Sequence, residues 1–123
     1  LGHTVSDDYS GADGVNQKGE PVEYKSTISK KINATYNGIS VFSTWEEQKE
    51  YLANEKIGKY PEHFWARFEE GRIVEMWKAT GKDVLKTLLP KLRRKFDGPR
   101  GKDPRLGATL SATEISEIGT RII

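Results

Sequence analysis

Apolar and polar residues alternate strictly over residues 22–28, and this period of two predicts a β-strand with two chemically different faces. Turn-forming residues fill 16–21, between this run and an extended segment that begins at Asp13, so the two runs are predicted to pair as a hairpin. A third strand is expected over 32–41, with a turn pair, Asn37–Gly38, inside it. The first third of the chain therefore predicts a sheet rich in hairpins.

The middle of the chain predicts a helix followed by two strands. Ser43 and Glu46 have the spacing of a capping box, and the helix that they begin is expected to run to about Lys56. Two strands are then predicted over 64–68 and 72–79, joined by a tight turn.

The last third predicts two helices separated by a loop. Thr80 is expected to cap a helix with apolar residues at helical spacing over 84–92, and Pro90 is expected to kink or restart that helix. Residues 97–107 predict a loop, because they contain three Gly and two Pro. A second capping box at Ser111 is expected to begin a short last helix.

The element order β-β-β-α-β-β-α-α predicts one mixed α/β domain over residues 1–123. Only 35% of the residues are hydrophobic and the mean hydropathy is −0.70, so the core is expected to be small. The absence of cysteine excludes a disulfide scaffold, a thiolate zinc site and thiol catalysis. No run of residues approaches the ~20 apolar positions that a membrane span needs.

The formal net charge of +2 is distributed unevenly along the chain. Residues 78–105 contain ten basic and three acidic residues, a net charge of +7, which leaves −5 for the remainder. A basic segment of this kind predicts a surface that binds a polyanion such as nucleic acid. The alternative is a solvated helix face followed by a basic loop.

Three residues indicate a possible chemistry. Glu23 and Lys25 are two apart on the predicted strand, so their side chains share a face. If the hairpin brings Asp13 near Glu23, two carboxylates and an ammonium group converge, and hard oxygen ligands suit Mg²⁺. Such a group can support metal-assisted hydrolysis of a phosphodiester. The alternative is a surface hairpin with an ordinary cross-strand ion pair.

The pattern Asp13…Glu23-x-Lys25 resembles the PD-(D/E)xK nuclease signature of type II restriction endonucleases, with Ala12 in place of the proline. The resemblance implies an α/β fold with a restriction-endonuclease-like mixed sheet core (β-β-β-α-β) flanked by helices. It implies that Asp13 and Glu23 hold Mg²⁺, with Mn²⁺ as a substitute, and that Lys25 positions the attacking water.

The family usually begins with a helix that often supplies another acidic residue. Because the chain begins at Leu1, that element is expected to be missing from it or to come from a partner chain. The resemblance also implies a homodimer on double-stranded DNA, since cutting both strands needs two active sites. It further implies a cytoplasmic location, in a bacterial or phage-like system.

Several basic residues are predicted to contact DNA. Lys30 and Lys31 follow the catalytic strand and are expected near phosphates, with a solvated turn as the alternative. The remaining candidates belong to the basic segment: Arg93, Arg94, Lys95, Arg100, Lys102 and Arg105. A helix C-terminus alone also favours the cations at 93–95. His63 is expected as a packing or surface residue, with a place near the site through its strand as the alternative.

These observations together predict a Mg²⁺-dependent endonuclease of double-stranded DNA, most similar to a sequence-specific type II restriction enzyme. One alternative is a Holliday-junction resolvase or repair nuclease of the same fold. The other is a non-catalytic nucleic-acid-binding module.

Overall fold

The computed structural model of the chain describes residues 4–5, 14–15, 18–99 and 104–123. Its strands are β1 (Thr4–Val5), β2 (Gly14–Val15), β3 (Pro21–Thr27), β4 (Ala34–Ile39), β5 (Glu62–Glu69), β6 (Arg72–Thr80), β7 (Leu106–Leu110) and β8 (Thr120–Arg121). Its helices are α1 (Trp45–Tyr51), α2 (Gly81–Asp97) and α3 (Ala112–Ile118), and α1 continues directly into a π-helical turn over Leu52–Lys56, called the π-turn below. The protein is thus mixed α/β, as predicted.

The main sheet has the strand order β1-β2-β3-β5-β6-β8. The antiparallel pairing of β2 with β3 confirms the predicted hairpin. β3 and β5 are parallel, so the chain must cross over between them, and this crossover contains β4, α1 and the π-turn. The crossover therefore lies next to the strand that contains Glu23 and Lys25.

The predicted alternation along β3 separates two environments. In the parallel register Glu23 lies opposite His63 and Lys25 opposite Trp65, so these four residues share one face. Val22 and Phe64 belong to the other face, where they form a small buried cluster with Ala66 and Met76. The larger core includes Trp65 and therefore lies on the Glu23 side, where it contains residues of α2, β4, β7 and the π-turn.

β4 confirms the strand predicted over 32–41 in a shorter form, but it does not extend the main sheet. It pairs antiparallel with β7 in a separate two-stranded sheet. The end of the region predicted as a loop, 97–107, contributes the first two residues of β7, and neither β7 nor β8 was predicted. A short strand with a glycine has little periodic signal, so its partner across the fold determines it.

The helix caps agree with the sequence in two of three cases. Thr80 caps α2 by accepting a hydrogen bond from the Asp83 amide, and Ser111 forms the predicted capping box with Glu114. The predicted cap at Ser43 is wrong, because the Thr44 hydroxyl accepts from the Glu47 amide instead, at 3.2 Å.

α2 runs without interruption through Pro90, so no second helix begins there. Its buried residues Val84, Leu88 and Leu92 recur every four positions, which confirms the predicted apolar face. In the described part of the chain, no helix is both long enough and apolar enough to cross a membrane.

Candidate functional site

Glu23 and Lys25 lie side by side on β3, an interior strand of the main sheet. The Lys25 ammonium nitrogen is 3.4 Å from Glu23 Oε1, and the two side chains are 30% and 16% exposed, respectively. The spacing of two residues thus places both groups on one face, as predicted. They form an ion pair that is partly exposed to water.

This ion pair faces a cavity of about 190 Å³. Three parts of the fold enclose it: the β3–β5 pair, β4, and the π-turn with the residues that follow it. The lining residues are Glu23, Lys25, Tyr36, Asn37, Ile39, Lys56, Ile57, Tyr60 and His63. Two elements of the crossover therefore close over the strand that contains the predicted catalytic pair.

Buried polar groups below the cavity form a chain of hydrogen bonds. Trp65 Nε1 donates to the Tyr36 hydroxyl at 3.0 Å, and this hydroxyl lies 2.7 Å from His63 Nδ1. His63 Nε2 lies 2.9 Å from the Ile57 carbonyl oxygen. Because an indole can only donate and a carbonyl can only accept, Trp65 donates to Tyr36, and His63 Nε2 donates to Ile57. When His63 is neutral its Nδ1 has no proton, so the Tyr36 hydroxyl donates to it.

His63 is neutral at neutral pH, and its proton lies on Nε2, which faces the Ile57 carbonyl. Burial lowers the pKa of His63 to about 4; the hydrogen bond to Ile57 opposes this shift, and the positive charge of Lys25 adds to it. Burial likewise raises the pKa of Tyr36 above its usual value, and the negative charge of Glu23 adds to this shift while the Trp65 hydrogen bond opposes it. Both groups are therefore uncharged at neutral pH.

Tyr36 also contacts the predicted catalytic lysine. The Lys25 ammonium group lies 5.0 Å from the centre of the Tyr36 ring, within the range of a cation–π interaction. Since hydrogen bonds from Trp65 and to His63 fix the Tyr36 side chain, its ring provides a fixed support for the ammonium group. Lys25 is thus held between a carboxylate and an aromatic ring.

A β-bulge in β4 changes which residues face the cavity. Tyr36 pairs with Ala108 and Ile39 with Leu106, so β4 contains one residue more than β7 in this interval. Gly38 lies within the bulge and has a φ of +66°, in the left-handed region that favours glycine. The bulge allows the consecutive residues Tyr36 and Asn37 both to line the cavity, which regular alternation would prevent.

The π-turn is a second backbone irregularity at the same cavity. The Gly58 amide donates to the Leu52 carbonyl at 2.9 Å, and a Cβ atom at Gly58 would lie 2.3 Å from the Ala53 carbonyl oxygen, so only glycine fits. Lys56 and Ile57 both line the cavity as a result. π-helical turns and bulges are both enriched at functional sites, and here they converge on one cavity.

The structure describes two of the three residues that were predicted to be catalytic. Glu23 and Lys25 are brought together, whereas Asp13 lies outside the described residues. Within the described ranges, no group of three His, Cys, Asp or Glu side chains is arranged to hold a metal ion. Glu23 is the carboxylate that lines the cavity.

The predicted DNA-binding residues divide among several places. Lys30 and Lys31 are exposed just beyond β3 and do not line the cavity. Arg105 is exposed, and a Cβ atom at Gly38, next to the cavity-lining Asn37, would lie 3.4 Å from its Nη1. Arg100 and Lys102 lie outside the described residues.

The basic residues near the end of α2 also lie outside the cavity lining. Arg93 forms an ion pair with Asp97 at 2.8 Å and lies 5.0 Å from the centre of the Trp45 ring, and its contact with DNA stays a prediction. Arg94 and Lys95 are exposed in the last turn of the helix. Their contact with DNA stays a prediction.

Sequence reasoning missed most of the cavity lining. Tyr36, Asn37 and Lys56 were not singled out as site residues. His63 was expected as a packing or surface residue, with a place near the site as the alternative, and it is both buried and part of the cavity lining. The turn-forming pair Asn37–Gly38 was the one available signal, because a glycine inside a strand pattern often marks a bulge. The ring contacts of His63 depend on Tyr36, which is 27 positions earlier in the chain.

No protein-family model matches this chain, and no curated protein matches it at a significant level. The functional interpretation therefore depends on the cavity and on the residues that line it.

Proposed function

We propose that this protein is a Mg²⁺-dependent endonuclease that hydrolyses phosphodiester bonds of double-stranded DNA, in the manner of a type II restriction enzyme. The observation that supports this most is the placement of Glu23 and Lys25, which lie 3.4 Å apart on an interior strand and face an open cavity. The acidic-x-Lys pattern therefore occurs where a substrate can reach both groups.

The residues present fit a magnesium ion in part. Mg²⁺ in phosphate-processing sites is commonly held by one or two carboxylates together with water and substrate oxygens. Glu23 supplies one such carboxylate, and the resemblance assigns the second to Asp13. Bound there, the ion would polarise the scissile phosphate and lower the pKa of a water molecule.

Lys25 is suited to orient the attacking water. Its ammonium group has three donors, Glu23 forms an ion pair with it at 3.4 Å, and the Tyr36 ring supports it from one side. In hydrolysis the water oxygen forms a bond to phosphorus, the bond from phosphorus to the 3′ oxygen breaks, and that oxygen leaves as a hydroxyl. The product then has a 5′-phosphate, and Lys25 stabilises the negative charge that develops on the phosphate.

The charge distribution supports DNA as the substrate. The basic segment, residues 78–105, has a net charge of +7, and a homodimer would present two such surfaces and two cavities to the two strands. A restriction-endonuclease-like core remains part of this proposal, as does the cytoplasmic location that such a function implies.

The decisive experiment is cleavage of plasmid DNA by the Lys25→Ala variant with Mg²⁺. We expect nicking and linearisation by the wild-type protein to disappear in the variant, while binding of DNA in EDTA stays within a few-fold. Lys49→Ala is the matched control, because Lys49 is an exposed lysine of α1 that does not line the cavity. Cleavage by Lys25→Ala at the wild-type rate would overturn the proposal.

A second candidate is a nucleic-acid-binding module without catalysis. The observation that favours it is that Glu23 and Lys25 form an ion pair and that the described residues include no group of three metal ligands. This candidate predicts DNA binding with no nicking in Mg²⁺ or Mn²⁺. If cleavage occurs, a panel of linear, branched and mismatched duplexes separates a restriction enzyme from a junction resolvase or repair nuclease.

A further inference from the structure

Two polar residues line the cavity from the two places where the backbone around it is irregular. The bulge in β4 presents Asn37, and the π-turn presents Lys56. Neither residue belongs to the acidic-x-Lys pattern, and neither supports the buried hydrogen-bond chain. Their presence in the cavity therefore needs a separate explanation.

Both residues have unused bonding capacity. Within the described part of the chain, every buried side-chain polar atom has a hydrogen-bond partner. By contrast, the Asn37 amide makes no hydrogen bond and the Lys56 ammonium group makes no ion pair with the residues that the structure describes, and both side chains are exposed. Because these exposed groups are bonded to solvent rather than to the protein, a ligand in the cavity can displace that water and bind them.

The charge around the cavity indicates an anionic ligand. Lys25 and Lys56 both line it, whereas Glu23 is the carboxylate in the lining. The guanidinium group of Arg105 lies over Gly38, next to Asn37, and adds a third positive charge at this edge. Ammonium, guanidinium and amide donors are the groups that commonly contact phosphate oxygens of DNA.

We propose that Asn37 and Lys56 bind a second phosphate of the DNA strand, adjacent to the phosphate that is hydrolysed at Glu23 and Lys25. This inference rests on the proposed function for the identity of the ligand. The bulge and the π-turn would then act together: they position the DNA strand in the cavity so that one particular phosphate reaches Lys25.

The test is the salt dependence of DNA binding, measured by fluorescence anisotropy with a short labelled duplex in EDTA, where no cleavage interferes. Loss of one lysine–phosphate contact reduces the slope of log K against log salt concentration by about 0.9. We expect this reduction in Lys56→Ala, together with roughly tenfold weaker binding at low salt. Asn37→Ala should weaken binding without changing the slope, because an uncharged amide releases no counterion.

Matched controls are available on the same elements. Lys49→Ala removes an exposed lysine from α1, and Asn54→Ala removes an exposed amide from the π-turn itself, and neither residue lines the cavity. Both controls should bind DNA as the wild-type protein does. A Lys56→Ala slope and affinity equal to those of Lys49→Ala would overturn the inference.

The experiments distinguish a failure of the second phosphate site from a failure of the proposed nuclease function. If Lys25→Ala abolishes cleavage but Lys56→Ala and Asn37→Ala bind DNA as the wild-type protein does, the nuclease proposal stands and the second phosphate site is wrong. If the wild-type protein binds DNA and never cleaves it, a reduced slope in Lys56→Ala still supports the phosphate site. If the wild-type protein does not bind DNA, both proposals are wrong.

Discussion

The two faces of the β3–β5 strand pair share one backbone but differ in chemistry: one is apolar and buried, and the other is polar and faces the cavity. One face presents Val22 and Phe64, which are 0% and 1% exposed and pack in a cluster that is apolar. The other presents Glu23, Lys25 and His63 toward the cavity. Residues adjacent in sequence thus enter opposite environments, because side chains alternate along a strand.

This difference separates the face that stabilises the fold from the face whose residues are not explained by stability. The apolar face stabilises the fold by burial, at about 25 cal/mol per Å². The cavity face buries His63 and Tyr36, and buried polar groups destabilise a fold unless hydrogen bonds compensate. A sheet optimised for stability alone would be apolar at those positions, so the polar face is the one on which function is expected.

The largest effect on stability should come from the apolar face. Phe64→Ala removes a buried ring that stacks on Tyr24 at 5.2 Å between ring centres. We expect the free energy of unfolding to fall by about 3–5 kcal/mol, measured by urea denaturation. Cleavage per folded molecule should persist, since Phe64 points away from the cavity. Loss of cleavage in molecules that remain folded would contradict the separation of the two faces.

The next effect is a loss of stability at acid pH, which arises from His63 on the cavity face. The pKa of His63 is about 4 in the folded protein and about 6.5 when unfolded, so below pH 6.5 the unfolded state binds more protons. Stability is therefore lost as the pH falls from 6.5 to 4, by about 3 kcal/mol in total. Protonation also places a proton on Nδ1, so the Tyr36 hydroxyl can no longer donate to His63 and that hydrogen bond has to reverse its direction.

The His63→Gln variant isolates this contribution. The pKa values of Glu75 and Glu114 are also lowered. Burial alone would raise them, but the hydrogen bonds and positive charges around each carboxylate, from Trp77, Arg67 and Arg121 at Glu75 and from Lys91 and Ser111 at Glu114, together outweigh it. Those groups remain in the variant, so the difference between the two stability curves reports His63. Urea denaturation in metal-free buffer from pH 7 to 4 should show a steeper decline in the wild-type protein. Parallel curves would mean that the pKa of His63 is the same in the folded and unfolded states, and would contradict the prediction.

The sequence predicts the parts of this comparison that depend on local periodicity. Alternation along β3 placed Glu23 and Lys25 together, and apolar spacing located the buried face of α2. β7 was not predicted, because its partner β4 is about 70 positions earlier and a glycine interrupts a strand of five residues. Non-local pairing determines such a strand, and local patterns contain little information about it.

The cavity lining was harder to predict for the same reason. Asn37 lies at the bulge, where β4 has one residue more than β7. Lys56 lies in the π-turn that follows α1. Both features follow from how the crossover packs against the main sheet. Sequence therefore identified the residues proposed for chemistry, and the structure identified those proposed to position the substrate.

Of the three variants, Lys25→Ala should change the stability least and the cleavage activity most. The Lys25–Glu23 pair is partly exposed, and pairs of this kind contribute no more than about 1 kcal/mol. We expect the free energy of unfolding of Lys25→Ala, measured by urea denaturation, to lie within about 1 kcal/mol of the wild-type value, while cleavage is abolished. A destabilisation comparable with that of Phe64→Ala would indicate that the ion pair has a structural role. A stable, inactive variant would assign opposite roles to the two faces of the same strand pair.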